Sequence, residues 1–259
     1  MHTSLLERAL RHDRALVVAG LVAVSLACWA WIVPMARDMY GPMTGPSVWM
    51  MTSVWDARHL AALWAMWAVM MAAMMLPSAA PMLLMYGQVA RKNPERFDPV
   101  LGAYVFAAGY LTVWAAFSAG ATLLQRALNV LVLLSPMMEP VGTTFAAVVL
   151  LAAGVYQFTP LKYLCLQSCR SPLSFLMTRW SAGRAGAFRM GLEHGAYCLG
   201  CCWALMLLLF AAGIMNLYAI IALTLLVVVE KVAPPRWHAD RVTGGLLVGL
   251  AILQLVILD

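Results

Sequence analysis

Long apolar stretches alternate with short connections rich in Lys and Arg along the whole chain. The apolar stretches cover about residues 15–33, 60–85, 100–125, 142–159, 188–213, 217–232 and 243–258. A helix needs roughly 20 residues to cross the hydrocarbon of a bilayer. The fourth stretch is marginal by that measure and the last two are short. The pattern predicts an all-α, polytopic membrane helix bundle of about seven transmembrane helices, with six as the fallback. Lipid offers backbone groups no hydrogen-bond partners, which favours helices in such runs. The residue-by-residue alternation of a barrel strand is absent.

The connections carry the orientation signal. Arg8, Arg11 and Arg14 precede the first stretch, and Arg91, Lys92 and Arg96 follow the second. Lys162, Arg170, Arg179, Arg184 and Arg189 follow the fourth, and Lys231, Arg236 and Arg241 follow the sixth. Only Arg37, Arg58 and Arg126 fall on the opposite side. Basic loops stay cytoplasmic, so seven spans put the N-terminus inside and Asp259 outside. The first stretch has a basic front like a signal peptide, but it is too long, and Trp29, Trp31 and Pro34 make no small-residue cleavage site. Residues 160–187 form a longer cytoplasmic connection, in which Pro172 suits the start of a short interfacial helix.

Composition changes little in this picture. The chain has 259 residues, is 64% hydrophobic and only 11% charged, against about a quarter charged in soluble domains. No polar block is large enough for a separate soluble domain, so 1–259 reads as one integral membrane domain. The net charge of +6 does not imply nucleic acid, because the orientation of the loops accounts for it. The 19 Met residues make the chain methionine-rich.

Candidate chemistry concentrates in the fifth stretch, EHGAYCLGCCWALM from Glu193. Successive helical residues advance about 100°, so from His194 at zero Cys201 lies at about −20°, Cys198 at about 40° and Cys202 at about 80°. Met190 and Tyr197 share that arc, whereas Glu193 points away at about −100°. Thiolate and thioether suit Cu(I), and thiolate with imidazole suits Zn(II). Buried polar groups in a membrane mark function by default. The competing account is that Cys, like Gly195 and Gly200, is small enough for close helix contacts. Cys198-Leu199-Gly200-Cys201 also has the C-x-x-C spacing of dithiol oxidoreductases, although it is deep in the run rather than at a helix N-terminus.

Supporting positions follow. In the second stretch Met66, Met70, Met71, Met74 and Met75 occupy one half of the helix, where a thioether row could pass Cu(I) or simply fill an irregular interface. Pro77 and Pro81 predict a kink or break there. Cys165 and Cys169, four apart near the cytoplasmic side, form either a soft-metal pair or two partly buried loop thiols. Glu230 could orient His194, as carboxylates do for metal-bound imidazoles. A surface ion pair with a snorkelling Lys231 is the blander account. His2, His12 and His238 read as solvated loop residues, and His59 as a solitary residue at the outer mouth of the second helix. Nucleophile elbows, phosphate loops and H-E-x-x-H are absent, so a hydrolase or ATP-driven pump has no support.

Five stretches carry a family resemblance: MAAMMLPSAAPM from Met71, GYLTVW from Gly109, YQFTPLKYLCLQSCRSPLSF from Tyr156, MGLEHGAYCLGCCWALM from Met190 and EKVAP from Glu230. They are similar to the uncharacterised bacterial domain-of-unknown-function family 2182, described as predicted metal-binding integral membrane proteins. The resemblance implies a multi-pass protein of the bacterial inner (cytoplasmic) membrane with a metal site, and it carries over His194, Cys198, Cys201, Cys202, Cys165 and Cys169. It implies no reaction. The expected role is binding of a transition metal, Cu(I) ahead of Zn(II), for transport or delivery to a metal-receiving or membrane-complex partner, without catalysis. Met66, Met70, Met74, Met190, Glu230 and Glu193 are the expected secondary ligands. A membrane thiol-disulfide oxidoreductase using Cys198 and Cys201, or an assembly subunit without metal, are the alternatives.

Overall fold

The computed structural model describes residues 5–41, 45, 55–92, 98–135 and 137–257. His2, Arg96 and Asp259 lie outside the described residues. The described chain is helical, in the order α1 (Leu5–Met39), α2 (Ala57–Lys92), α3 (Pro99–Val130), α4 (Thr143–Tyr156), α5 (Pro160–Arg170), α6 (Pro172–Arg179), α7 (Gly183–Ala212), α8 (Leu217–Val232) and α9 (Ala239–Ile257). A short 3-10 turn, Pro235–Trp237, precedes α9. Each apolar stretch of the sequence overlaps one of these helices.

Among the described residues, five segments are long and apolar enough to cross a membrane: Asp13–Met39, Ala57–Arg91, Pro99–Val130, Gly183–Ala212 and Pro235–Val256. A sixth arises if α4 and α5 are taken together across the 66° bend between them. The fold is therefore an all-α polytopic bundle, but only five or six of the seven expected spans have full length. The 16 residues of α8 extend about 24 Å, and the 14-residue α4 reaches full length only together with α5. Residues 160–187, expected as a loop with one surface helix, instead hold α5, α6 and the start of α7.

Local signals set the helix ends. Asp98 Oδ1 accepts from the amides of Val100 and Leu101 at 2.8 and 2.9 Å, ahead of Pro99 at the first turn of α3. Thr159 and Pro160 do the same for α5, and Asn216 caps α8. Pro172 opens α6, as its position predicts. Of the kink or break expected at Pro77 and Pro81, the break does not occur, since α2 runs through both prolines. In this region Ser78 Oγ donates to the Met75 carbonyl at 2.8 Å and the Tyr110 hydroxyl donates to it at 3.2 Å.

Glycine brings α3 and α7 together. A Cβ on Gly191 would meet the Phe106 carbonyl oxygen at 2.1 Å, and one on Gly109 the Phe188 carbonyl oxygen at 2.2 Å. Gly191 and Gly195, one turn apart on α7, thus let two backbones touch, as small residues do between membrane helices. The contact turns the polar face of α7 toward the bundle interior, which α2 also borders through Trp67 and Ser78. An ion pair between Asp13 and Arg91 ties the start of α1 to the end of α2.

Gly191→Val is expected to force α3 and α7 apart and remove roughly 2 kcal/mol or more of stability. Gly249→Ala, where a Cβ meets nothing within 4 Å, should be neutral or gain up to about 1 kcal/mol. Unfolding of the two purified variants in detergent checks the contrast.

Candidate metal centre

Met190, His194, Cys198, Cys202 and Met206 recur every fourth residue on α7, and Cys201 adjoins them. All six are buried. The predicted arc therefore faces protein rather than lipid. His194 lies between the rings of Tyr110, at 5.8 Å and nearly parallel, and Phe175, at 5.5 Å. Its Nδ1 is buried without a hydrogen-bond partner. Phe175 and Tyr197 also line an open cleft of about 750 Å³ between α5, α6 and α7, so Phe175 stands between His194 and the cleft.

Cys198 is the best-connected thiol. Its Sγ lies 3.0 Å from the Tyr110 hydroxyl and 2.9 Å from Lys231 Nζ. Lys231 Nζ also donates to Ser78 Oγ at 2.8 Å. A buried ammonium is costly unless it is hydrogen-bonded and its charge balanced. Of its two partners, only the sulfur can carry the opposite charge, and the thiolate is the form that binds metals.

The other thiols gather round this one. Cys201 Sγ and Cys202 Sγ donate to the Cys198 carbonyl at 3.1 and 2.9 Å. Cys169 Sγ, from α5, lies 3.9 Å from Cys201 Sγ. Cys165, one turn earlier, packs on Gly200, where a Cβ would come within 2.6 Å of its sulfur. The 66° bend after α4 lays α5 across α7 and brings in these two half-buried cysteines. All six cysteines are free. No three His, Cys, Asp or Glu side chains among the described residues stand close enough to hold an ion as placed.

Several expected partners lie elsewhere. Glu230 does not orient His194. It is buried and bonds Lys162 Nζ at 2.6 Å and Gln157 Nε2 at 3.2 Å. Nor does Lys231 snorkel to a surface. The reason is the shortness of α8, which ends alongside Cys198 in the middle of the 30-residue α7. Glu193, on the other side of α7, pairs with Arg179 at 3.4 Å and Arg189 at 3.2 Å, so its carboxylate is engaged away from the thiols. Met66, Met70 and Met74 are fully buried in α2. His59 packs its ring edge-on to Trp55, 5.1 Å away, near the start of α2. His238 occupies a left-handed turn before α9. The residues that sequence reasoning left out of the centre are Ser78, Tyr110 and Lys231. All three fall inside stretches that carried the family resemblance, which was the available signal.

Residues 64–254 match the model of the PpoB2 family, described as copper chaperone. That range contains every residue of the thiol cluster and its Lys, Tyr and Ser neighbours. No curated protein and no solved structure matches the chain.

The buried pair of Lys162 and Glu230 supports the α5–α8 contact behind the thiols. Lys162→Met or Glu230→Leu alone should each cost roughly 3–5 kcal/mol, because each leaves one charge unpaired. The double variant should recover most of that loss. Chemical unfolding in detergent, compared over the three variants, checks the coupling.

Proposed function

The chain belongs to the PpoB2 family, whose description is copper chaperone, and from that membership we propose that it carries Cu(I) inside a membrane helix bundle and hands it to a copper-requiring protein. The ion would be held by Cys198 and Cys201 as primary ligands, with Cys202 and Cys169 completing or exchanging the set and His194 on the path to the cleft. The observation that carries the reading is the buried Cys198 sulfur, held by Lys231 and Tyr110 with three further thiols around it.

Charge favours Cu(I) over Zn(II) here, and the sulfur spacing is short enough for one ion to be shared. Cu(I) on two thiolates has a net charge of −1, which the Lys231 ammonium cancels. Zn(II) needs a third thiolate to reach the same balance. The 3.9 Å between Cys169 and Cys201 sulfurs suits a shared ion: with metal–sulfur bonds of about 2.3 Å, as zinc makes, it subtends about 116°. Loading would turn Cys201 and Cys202 away from the Cys198 carbonyl by rotation about their side-chain bonds. Release would run past His194 and Phe175 into the cleft, which by the positive-inside expectation would open toward the cytoplasmic side of a bacterial inner membrane.

Purified full-length protein, titrated anaerobically with Cu(I) against a chromogenic chelator, should bind about one ion tightly through its soft donors. Cys198→Ser with Cys201→Ser should abolish that binding. Lys231→Met, which removes the balancing charge, should weaken it by roughly tenfold or more. Undiminished copper in the double serine variant would sink the proposal, and a trapped mixed disulfide with no bound metal would favour thiol exchange instead.

A further inference from the structure

The methionine row of α2 has no role in the site described so far. Met66, Met70 and Met74 recur every fourth residue, and Ser78 continues the row. On α7 the row Cys198, Cys202, Met206 has the same spacing and runs in the opposite direction. Two contacts set the register between them. Lys231 Nζ joins Ser78 Oγ to Cys198 Sγ. Toward the Gly213 end of α7, the Trp67 ring lies 5.2 Å from that of Phe210. Between these contacts α2 covers 11 residues and α7 covers 12, which are rises of about 17 and 18 Å. The rows therefore stay in step. Met74 is level with Cys202, and Met70 with Met206. All four side chains are buried.

The structure assigns Met70, Met74 and Met206 to a thioether relay along which Cu(I) travels from the Trp67–Phe210 level to Cys198. The inference rests on the copper reading above and adds the route to it. Each step is ligand exchange without redox change: a bond from copper to the next sulfur forms as the bond to the previous one breaks. Thioethers are neutral and bind Cu(I) softly, so the empty row carries no charge to balance, and an ion on it keeps its single positive charge until it reaches a thiolate. The last exchange carries the ion from Met74 or Met206, at the level of Cys202, onto the thiolate of Cys198 one turn on, a charged ligand already held by Lys231, and this gives the relay its direction. Trp67, fixed by its Nε1 bond to Gln125 Oε1 at 2.8 Å, closes the far end with Phe210.

The test uses full-length protein grown with selenomethionine and loaded anaerobically with increasing Cu(I). X-ray absorption at the copper and selenium edges reads which atoms neighbour copper. The first equivalent should show a sulfur-only shell from the thiols. Further copper should acquire selenium neighbours, and these should vanish in the Met70→Leu, Met74→Leu, Met206→Leu triple variant while the sulfur-bound copper remains. Leucine preserves volume, and if the triple variant does not fold, each single variant should lower the selenium signal. A sulfur-only shell at every loading overturns the relay and leaves the thiol site standing. Selenium neighbours that persist in the variants also overturn it. Copper that binds neither sulfur nor selenium removes both the relay and the function it rests on.

Discussion

The ammonium of Lys231 is the constraint around which the centre is organised. It sits in the bundle interior, where an unbalanced charge is costly. Glu230 is its neighbour in sequence but cannot serve it, because successive residues of a helix point about 100° apart. Glu230 instead faces α5 and pairs with Lys162, which is wholly buried. That pairing uses the nearby carboxylate and leaves Lys231 to Ser78 and Cys198. The two adjacent residues at the end of α8 thus do separate work. One clamps α5 to the bundle, and the other fixes the thiol on which the metal reading depends.

Backbone contact and a bend supply the rest of the geometry. Gly109, Gly191 and Gly195 bring α3 against α7 closely enough for Tyr110 to reach both Cys198 and the Met75 carbonyl. The turn after α4, capped by Thr159, redirects the chain so that α5 crosses α7 at Gly200. Tyr156 donates its hydroxyl to the Gly200 carbonyl at that crossing. The absence of a side chain at Gly200 leaves room for Cys165, and Cys169 then comes to lie beside Cys201. A larger residue at Gly200 would separate the α5 thiols from those of α7 without altering any of the cysteines.

Much of this was legible in the sequence, for identifiable reasons. Apolar run length located the helices, and the 100° advance of a helix grouped His194 with the three cysteines and set Glu193 apart. Neither depended on tertiary structure. The positions misjudged were those where depth decides. Hydropathy treats a Glu-Lys pair at the end of an apolar run as an interfacial anchor, but α8 is too short to carry Glu230 and Lys231 to an interface. The reach of α5 was hidden because a 66° bend between two short helices is fixed by the surfaces they pack on. Tyr110 and Ser78 read as ordinary helix residues until their partners on other helices are known.

The distribution of donors follows from the same charge constraint. A thiolate in the interior needs a cation, and Lys231 is the ammonium that touches the cluster, since Lys162 is already paired with Glu230. Anionic sulfur is therefore concentrated around one point of the bundle, beside Cys198. Donors farther along α2 have no such cation and must be neutral, which is what the thioethers of Met66, Met70 and Met74 provide. A row of cysteines in their place would either stay protonated and bind copper poorly or introduce uncompensated charge. One buried lysine thus suffices to define where an ion would stop, and neutral sulfur elsewhere allows it to pass.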